Sequence, residues 1–159
     1  MGEQEFLTQV KLCHGLILKL IGLYAYSLSD RNDLYQEILL NAWKGLGRFR
    51  KEAKFSTWLY QVAINTIFTA NRKANAISYS DCMEDFIIPV LPQSEQKEDV
   101  QRLYAAIRRL AEVDRVVITM HLEGYGNPEI AEVLGINANY IGVKLHRVKN
   151  QLQTILRKE

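Results

Sequence analysis

Apolar residues recur three and four positions apart along most of this chain, a spacing that predicts helices and no strands. The first stripe, Phe6, Val10, Cys13, Ile17, Leu20, Ile21 and Tyr24, predicts a helix from Glu5 to Leu28. Gly15 and Gly22 fall inside it, each weakening a helix by about 1 kcal/mol relative to Ala, so a closely packed neighbour is expected there. Ser29-Asp30-Arg31-Asn32 reads as a break, with Ser29 or Asp30 capping the next helix. That second helix, Asp33 to Leu46, turns Leu34, Ile38, Ala42 and Leu46 to one side and Asp33, Gln36, Glu37, Asn41 and Lys44 to the other. After the Gly- and base-rich connection G-L-G-R-F-R-K-E-A-K, a third helix runs from Phe55 to Ala74. Its inner face is expected to hold Trp58, Leu59, Val62, Ala63, Thr66 and Ala70. Tyr60, Gln61, Ile64, Asn65, Phe68 and Arg72 are then left outward, an odd place for bulky apolar groups.

The period is lost between about residues 76 and 98, where Pro89 and Pro92 preclude a continuous helix and acidic residues far outnumber the one base, Lys97. This predicts a flexible linker whose Phe86-Ile87-Ile88 offers one docking patch. Helical spacing returns with Val100, Leu103, Ile107 and Leu110, then with Val117, Ile118 and Leu122. The predicted architecture is therefore all-α, with two small helical domains: a three-helix bundle over residues 1–75 and a four-helix domain over 99–159.

The last two helices form the most distinctive unit. Asn127 reads as an N-cap, Pro128 as the first helical residue and Glu129 as an acid at the positive end of the helix dipole. Ile130, Val133 and Leu134 give this short helix a buried stripe, Ala131 permits close contact, and Gly135 ends it in the left-handed conformation. Ile136 packs in the corner and Asn137 caps again. A longer helix comes next, with Ile141, Leu145, Val148, Leu152 and Ile155 inward. Its outer face carries Asn139, Tyr140, Val143, His146, Arg147 and Asn150, with Gly142 and Lys144 on the flanks. A helix so propped across a tight turn is the module that enters the DNA major groove. An ordinary helical hairpin with a solvated basic face satisfies the same spacing.

Composition narrows the function without deciding it. The chain has 159 residues, 48% of them hydrophobic, which is ample for burying cores. A formal charge of +2 is too mild to coat nucleic acid, so any DNA contact must be local. Cys13 and Cys82 have no ligand spacing and His14, His121 and His146 are scattered, so reduced thiols, no metal and no cofactor are expected. Cys13 and His14 point to different faces of a helix, as core and surface and not as a catalytic dyad. No phosphate loop or nucleophile elbow is present, and no enzymatic activity is expected. The apolar stretch near Leu16–Tyr26 is interrupted by Lys19, so a soluble, cytoplasmic protein without membrane insertion is expected.

Two surfaces remain. Asp33, Gln36 and Glu37 form an acidic, polar patch, and Arg48, Arg50, Lys51 and Lys54 lie one helix away. Opposite charges on neighbouring surfaces suit a molecule that meets a protein on one side and nucleic acid on the next. Outward aromatics such as Tyr60 and Phe68 suit stacking on unpaired bases or packing on a protein partner.

The strings N-D-L-Y-Q-E-I-L-L-N-A-W-K-G-L and F-R-K-E-A-K-F-S-T-W-L-Y-Q-V-A-I-N resemble region 2 of bacterial sigma factors of the extracytoplasmic-function (ECF) group. Lys97 to Leu156, with E-I-A-E-V-L-G-I and L-H-R-V-K, resembles region 4. The resemblance spans nearly the whole chain. It implies a two-domain, all-helical initiation factor that joins RNA polymerase core, opens promoter DNA and has no enzymatic activity of its own, with an anti-sigma factor as a further candidate partner whose existence the sequence leaves open. By the same resemblance, Asp33, Gln36, Glu37 and Asn41 match the helix that grips the polymerase β′ clamp. Arg48, Arg50, Lys51, Lys54, Trp58, Gln61, Asn65 and Arg72 match the part that melts and reads the minus-ten element. Asn139, Tyr140, Val143, Lys144, His146 and Arg147 match the helix that reads the minus-thirty-five element, although the family commonly has a basic residue and Ser at Gly142 and Val143. Two other readings are a stand-alone helix-turn-helix regulator, which leaves the Asp33-Gln36-Glu37 patch unexplained, and a protein-interaction bundle with no DNA role.

Overall fold

The computed structural model describes residues 1–25, 28–77 and 98–158. Among them are eight α-helices, one short 3-10 turn and no strand. The expected linker over 76–98, with Phe86-Ile87-Ile88 and Cys82, lies almost wholly outside the described residues. The helices group as two compact units, one holding the first four and one the last four.

The first unit opens with two helices where sequence spacing predicts one. α1 spans Glu3–Leu12 and α2 spans His14–Gly22. At the junction Cys13 has ψ near 2°, and its N–H is shared between the carbonyls of Gln9 and Val10, both at 3.1 Å. That tightens the last turn and breaks the helical ladder. The stripe survives because Val10, Cys13 and Ile17 all remain buried across the break; apolar spacing reports a shared face, not an unbroken axis. Gly15 is exposed and a Cβ there would meet nothing, which corrects the expectation of a close neighbour, while Gly22 is buried.

α2 also ends earlier than Leu28, because Leu23 and Tyr24 donate to the carbonyls of Leu20 and Ile21, three residues back, and wind the helix off. α3 then runs Leu28–Gly45, so Ser29 to Asn32 are helical and the break lies before them. Asp30 sits in the first turn, where its carboxylate favours the positive end of the helix. Leu46–Arg48 make the 3-10 turn, and α4 spans Phe55–Ile77. α4 packs on both α3 and α2, and Ile17, Leu20, Ile38, Ala42, Leu59, Ala63 and Ile67 fill the core among them.

This two-sided packing corrects the assignment of faces on α4. Tyr60 and Ile64, expected outward, are each 1% exposed, and Phe68 is half-buried with its ring 5.9 Å from that of Tyr24. A helix held by two neighbours needs a second apolar stripe, and Tyr60, Ile64 and Ile67 supply it beside Leu59 and Ala63. Gln61 is half-buried, and Asn65, Thr69 and Arg72 make the exposed edge.

The second unit consists of α5 (Glu98–Arg108), α6 (Glu112–Leu122), α7 (Asn127–Leu134) and α8 (Ala138–Arg157), the four helices that spacing predicts. α8 packs against the other three, and Ile107, Leu110, Val116, Val117, Met120, Ile130 and Ile141 fill the centre. The cap of α7 falls one residue earlier than expected. Gly126 is the capping residue, its N–H donating to Glu129 Oε2 at 3.0 Å, and Asn127 enters the first turn ahead of Pro128. Gly135 is left-handed, at φ 68°. Asn137 caps α8 as predicted, its Oδ1 accepting from the Asn139 N–H at 2.8 Å.

Candidate nucleic-acid interface

In the first unit, α3 and α4 lie side by side and bring the two expected surfaces close together. Asp33, Gln36 and Glu37 are exposed on α3. Asp33 and Glu37 also border a hollow of about 200 Å³ floored by Tyr24, Leu34 and Ala70. Asn41, one turn beyond Glu37, is half-buried, and its amide donates to Thr66 Oγ1 at 3.0 Å. Thr66 in turn donates to the Val62 carbonyl at 2.8 Å, so Asn41 is fixed by α4. A groove of about 290 Å³ then unites Glu37 and Asn41 of the acidic set with Asn65 of the nucleic-acid set, between walls of Val62 and Thr69. Arg72, exposed farther along, bends back to donate from Nε to the Phe68 carbonyl at 3.4 Å.

The basic connection is exposed at Arg48, Arg50, Lys51 and Lys54. What holds it is an aromatic cluster that apolar spacing does not reveal. Phe49, midway along the connection, puts its ring 5.1 Å from Trp58 and 5.7 Å from Phe55. Phe55 and Trp58 lie 5.5 Å apart, and Phe6 of α1 bridges Phe55 and Trp43 at 6.1 and 5.2 Å. Each such pair adds about 0.5–1.5 kcal/mol beyond area burial. Trp58 is thus half-buried within this cluster. Phe49 and Phe55 are the positioning residues that sequence reasoning missed; the one available signal was a lone Phe inside a run of bases.

In the second unit, Asn139, Tyr140, Val143, His146 and Arg147 are all exposed on α8, opposite the buried Ile141, Leu145 and Val148. Lys144, on the flank of that face as expected, is half-buried. It turns toward α6, where Nζ lies 2.7 Å from Asp114 Oδ1. His146 Nε2 and Asn150 Nδ2 approach at 3.4 Å along the outer face.

Burial pushes the Cys13 thiol above its ordinary value, which keeps it protonated and unreactive. His14 is exposed, as expected, and its Nδ1 lies 2.7 Å from the Tyr35 hydroxyl. Among the described residues no three His, Cys, Asp or Glu side chains gather as metal ligands would, and no helix is long and apolar enough to cross a membrane.

Residues 10–77 match the family model of sigma-70 region 2, and residues 100–152 match that of sigma-70 region 4. Among curated relatives, the ECF RNA polymerase sigma factor SigM of Mycobacterium tuberculosis is 27% identical over 90% of this chain and 72% of its own. The ECF sigma factor SigW of Bacillus subtilis is 25% identical over 98% of this chain and 91% of its own. The fold is similar to that of the sigma factor RpoE from Bartonella quintana, solved with the anti-sigma factor NepR, at a TM-score of 0.81 and 20% identity over 97% of this chain and 98% of that one.

Proposed function

This chain belongs to the extracytoplasmic-function group of the sigma-70 family, and on that footing we propose how its surfaces divide the work of starting transcription. As a sigma factor it associates with RNA polymerase, recognises promoter DNA and initiates transcription. Within that activity, Asp33, Gln36 and Glu37 grip the β′ clamp, with Asn41 held by Thr66 at the edge of the contact. Arg48, Arg50, Lys51 and Lys54 hold phosphates of the minus-ten region, and Trp58, Gln61, Asn65 and Arg72 face its opened strand. Asn139, Tyr140, Val143, His146 and Arg147 face the minus-thirty-five element, with Arg147 suited to a guanine edge. An anti-sigma factor competing for one of these surfaces fits the same reading, since the sigma factor RpoE, of similar fold, was solved with the anti-sigma factor NepR, and CnrH, also of similar fold, with the cytosolic domain of CnrY.

The observation that carries this division is the exposed acidic face of α3 in one unit together with a helix-turn-helix in the other whose second helix turns its polar face to solvent. A stand-alone regulator would account for α5–α8 alone and leave the region 2 match without a purpose. The test is binding of the full chain to polymerase core. Replacing both Gln36 and Glu37 by Ala should weaken it by about 1–3 kcal/mol, the usual cost of losing a polar hot spot, with the helical content unchanged. Unaltered affinity would overturn the assignment of this face.

A further inference from the structure

The outer face of α8 presents two apolar side chains where a purely solvated helix would carry polar ones. Tyr140 and Val143, one turn apart, are 49% and 50% exposed, while Ile141, Leu145 and Val148 between and beyond them serve the core. Gly142 adds no side chain to crowd that face. Lys144, which would ordinarily dominate the surface, is engaged elsewhere. Its Nζ pairs with Asp114 at 2.7 Å, the two side chains being only 22% and 16% exposed, and it sits 5.8 Å from the centre of the Tyr140 ring. An ammonium shared between a carboxylate and an aromatic face is largely neutralised, and moving it to a phosphate would strand Asp114. The same contact favours this orientation of the Tyr140 ring before any ligand arrives.

We propose that Tyr140 and Val143 read thymine through its C5 methyl group, with Lys144, anchored on Asp114, as the positioning residue that fixes the ring. The proposal rests on α8 being the helix that enters the major groove of the minus-thirty-five element. In that groove thymine alone of the four bases carries a methyl group, and Val has nothing with which to read any other mark. Burying that methyl against a branched aliphatic and a fixed ring favours T·A pairs at two neighbouring positions by exclusion of water.

The test uses holoenzyme made from the full chain and polymerase core. A promoter library randomised over the minus-thirty-five element is selected for binding, and each thymine of the selected element is then replaced singly by deoxyuridine, which removes only the methyl. Two positions should each lose about three- to fivefold in affinity, the worth of one buried methyl. Val143→Ala should abolish the difference between the two bases at one position and Tyr140→Ala at the other. Asp114→Asn, by releasing Lys144, should reduce discrimination at the Tyr140 position and steepen the salt dependence by about one counterion, because the freed ammonium then reaches phosphate. A selected element that tolerates deoxyuridine throughout overturns methyl reading and leaves α8 as the promoter helix. Failure to select any sequence over that element overturns the placement of α8, and the inference with it.

Discussion

α4 and α8 are the longest described helices of their units, at 23 and 20 residues, and they are buried in different ways. α8 sets a single stripe, Ile141, Leu145, Val148 and Leu152, against α5, α6 and α7, and keeps the opposite face open for a ligand. α4 is wedged between α2 and α3 and buries Leu59 and Ala63 toward one side and Tyr60, Ile64 and Ile67 toward the next. A helix with one buried face advertises it through its period. A helix with two does not, because the second stripe looks like an apolar surface until its neighbour is known. On the proposed reading this difference is functional as well: α8 offers a broad face to DNA, whereas α4 offers a narrow edge of Gln61, Asn65, Thr69 and Arg72, and the neighbouring loop supplies the rest.

The largest effect should come from the residue on which this contrast turns. Tyr60 is 1% exposed, so Tyr60→Ala removes a core ring and should destabilise the first unit by about 3–5 kcal/mol, read by denaturant unfolding monitored through helical signal. Were Tyr60 an outward platform for stacked bases, the same change would leave stability within about 0.5 kcal/mol and weaken only binding to opened DNA. The two results separate cleanly, and the first is expected.

A smaller effect, opposite in sign between the units, is expected at two glycines. Gly135 has φ of 68°, so Gly135→Ala forces an L side chain into the left-handed region and should cost about 1 kcal/mol after allowing for the stiffer unfolded chain. Gly15 lies in the first turn of α2 with open space where a Cβ would stand, and Gly15→Ala should stabilise by about 0.5–1 kcal/mol. Both shifts are measured by the same unfolding titration, and equal signs would mean that one of these backbone assignments is wrong.

These positions also mark what the sequence makes legible. Gly135, Asn137 and the α8 stripe are local: a left-handed turn, a cap and a one-sided period are each specified within a few residues, and together they define the helix-turn-helix. The exposed acidic set Asp33, Gln36 and Glu37 is local in the same sense. What was illegible depends on partners far along the chain. Tyr60 and Ile64 are inside because α4 has neighbours on two sides, and Phe49 matters because Trp58 and Phe55 meet it in space. Cys13 interrupts a helix whose stripe runs on unbroken, so spacing carries no trace of the junction. Spacing places Lys144 on the flank of α8 but gives no sign of its partner, Asp114, thirty positions earlier.

The smallest effect, a slight change in core binding, distinguishes how each unit ties two helices by a polar contact. In the second unit the tie is the ion pair of Lys144 and Asp114; in the first it is the neutral hydrogen bond from Asn41 to Thr66. Thr66→Val keeps the shape of a residue that is 4% exposed and removes only its hydroxyl. Asn41 then loses its acceptor, yet its half-exposed position lets water replace the bond, so stability should fall by only about 0.5–1.5 kcal/mol. The variant should nevertheless free the Asn41 amide to rotate at the edge of the proposed polymerase contact. Core binding should therefore drop slightly, by no more than Asn41→Ala produces, and the double variant should be no weaker than Asn41→Ala alone. Additive losses would mean that Thr66 acts on the polymerase face by another route, and that the groove joining Glu37, Asn41 and Asn65 does not work through this bond.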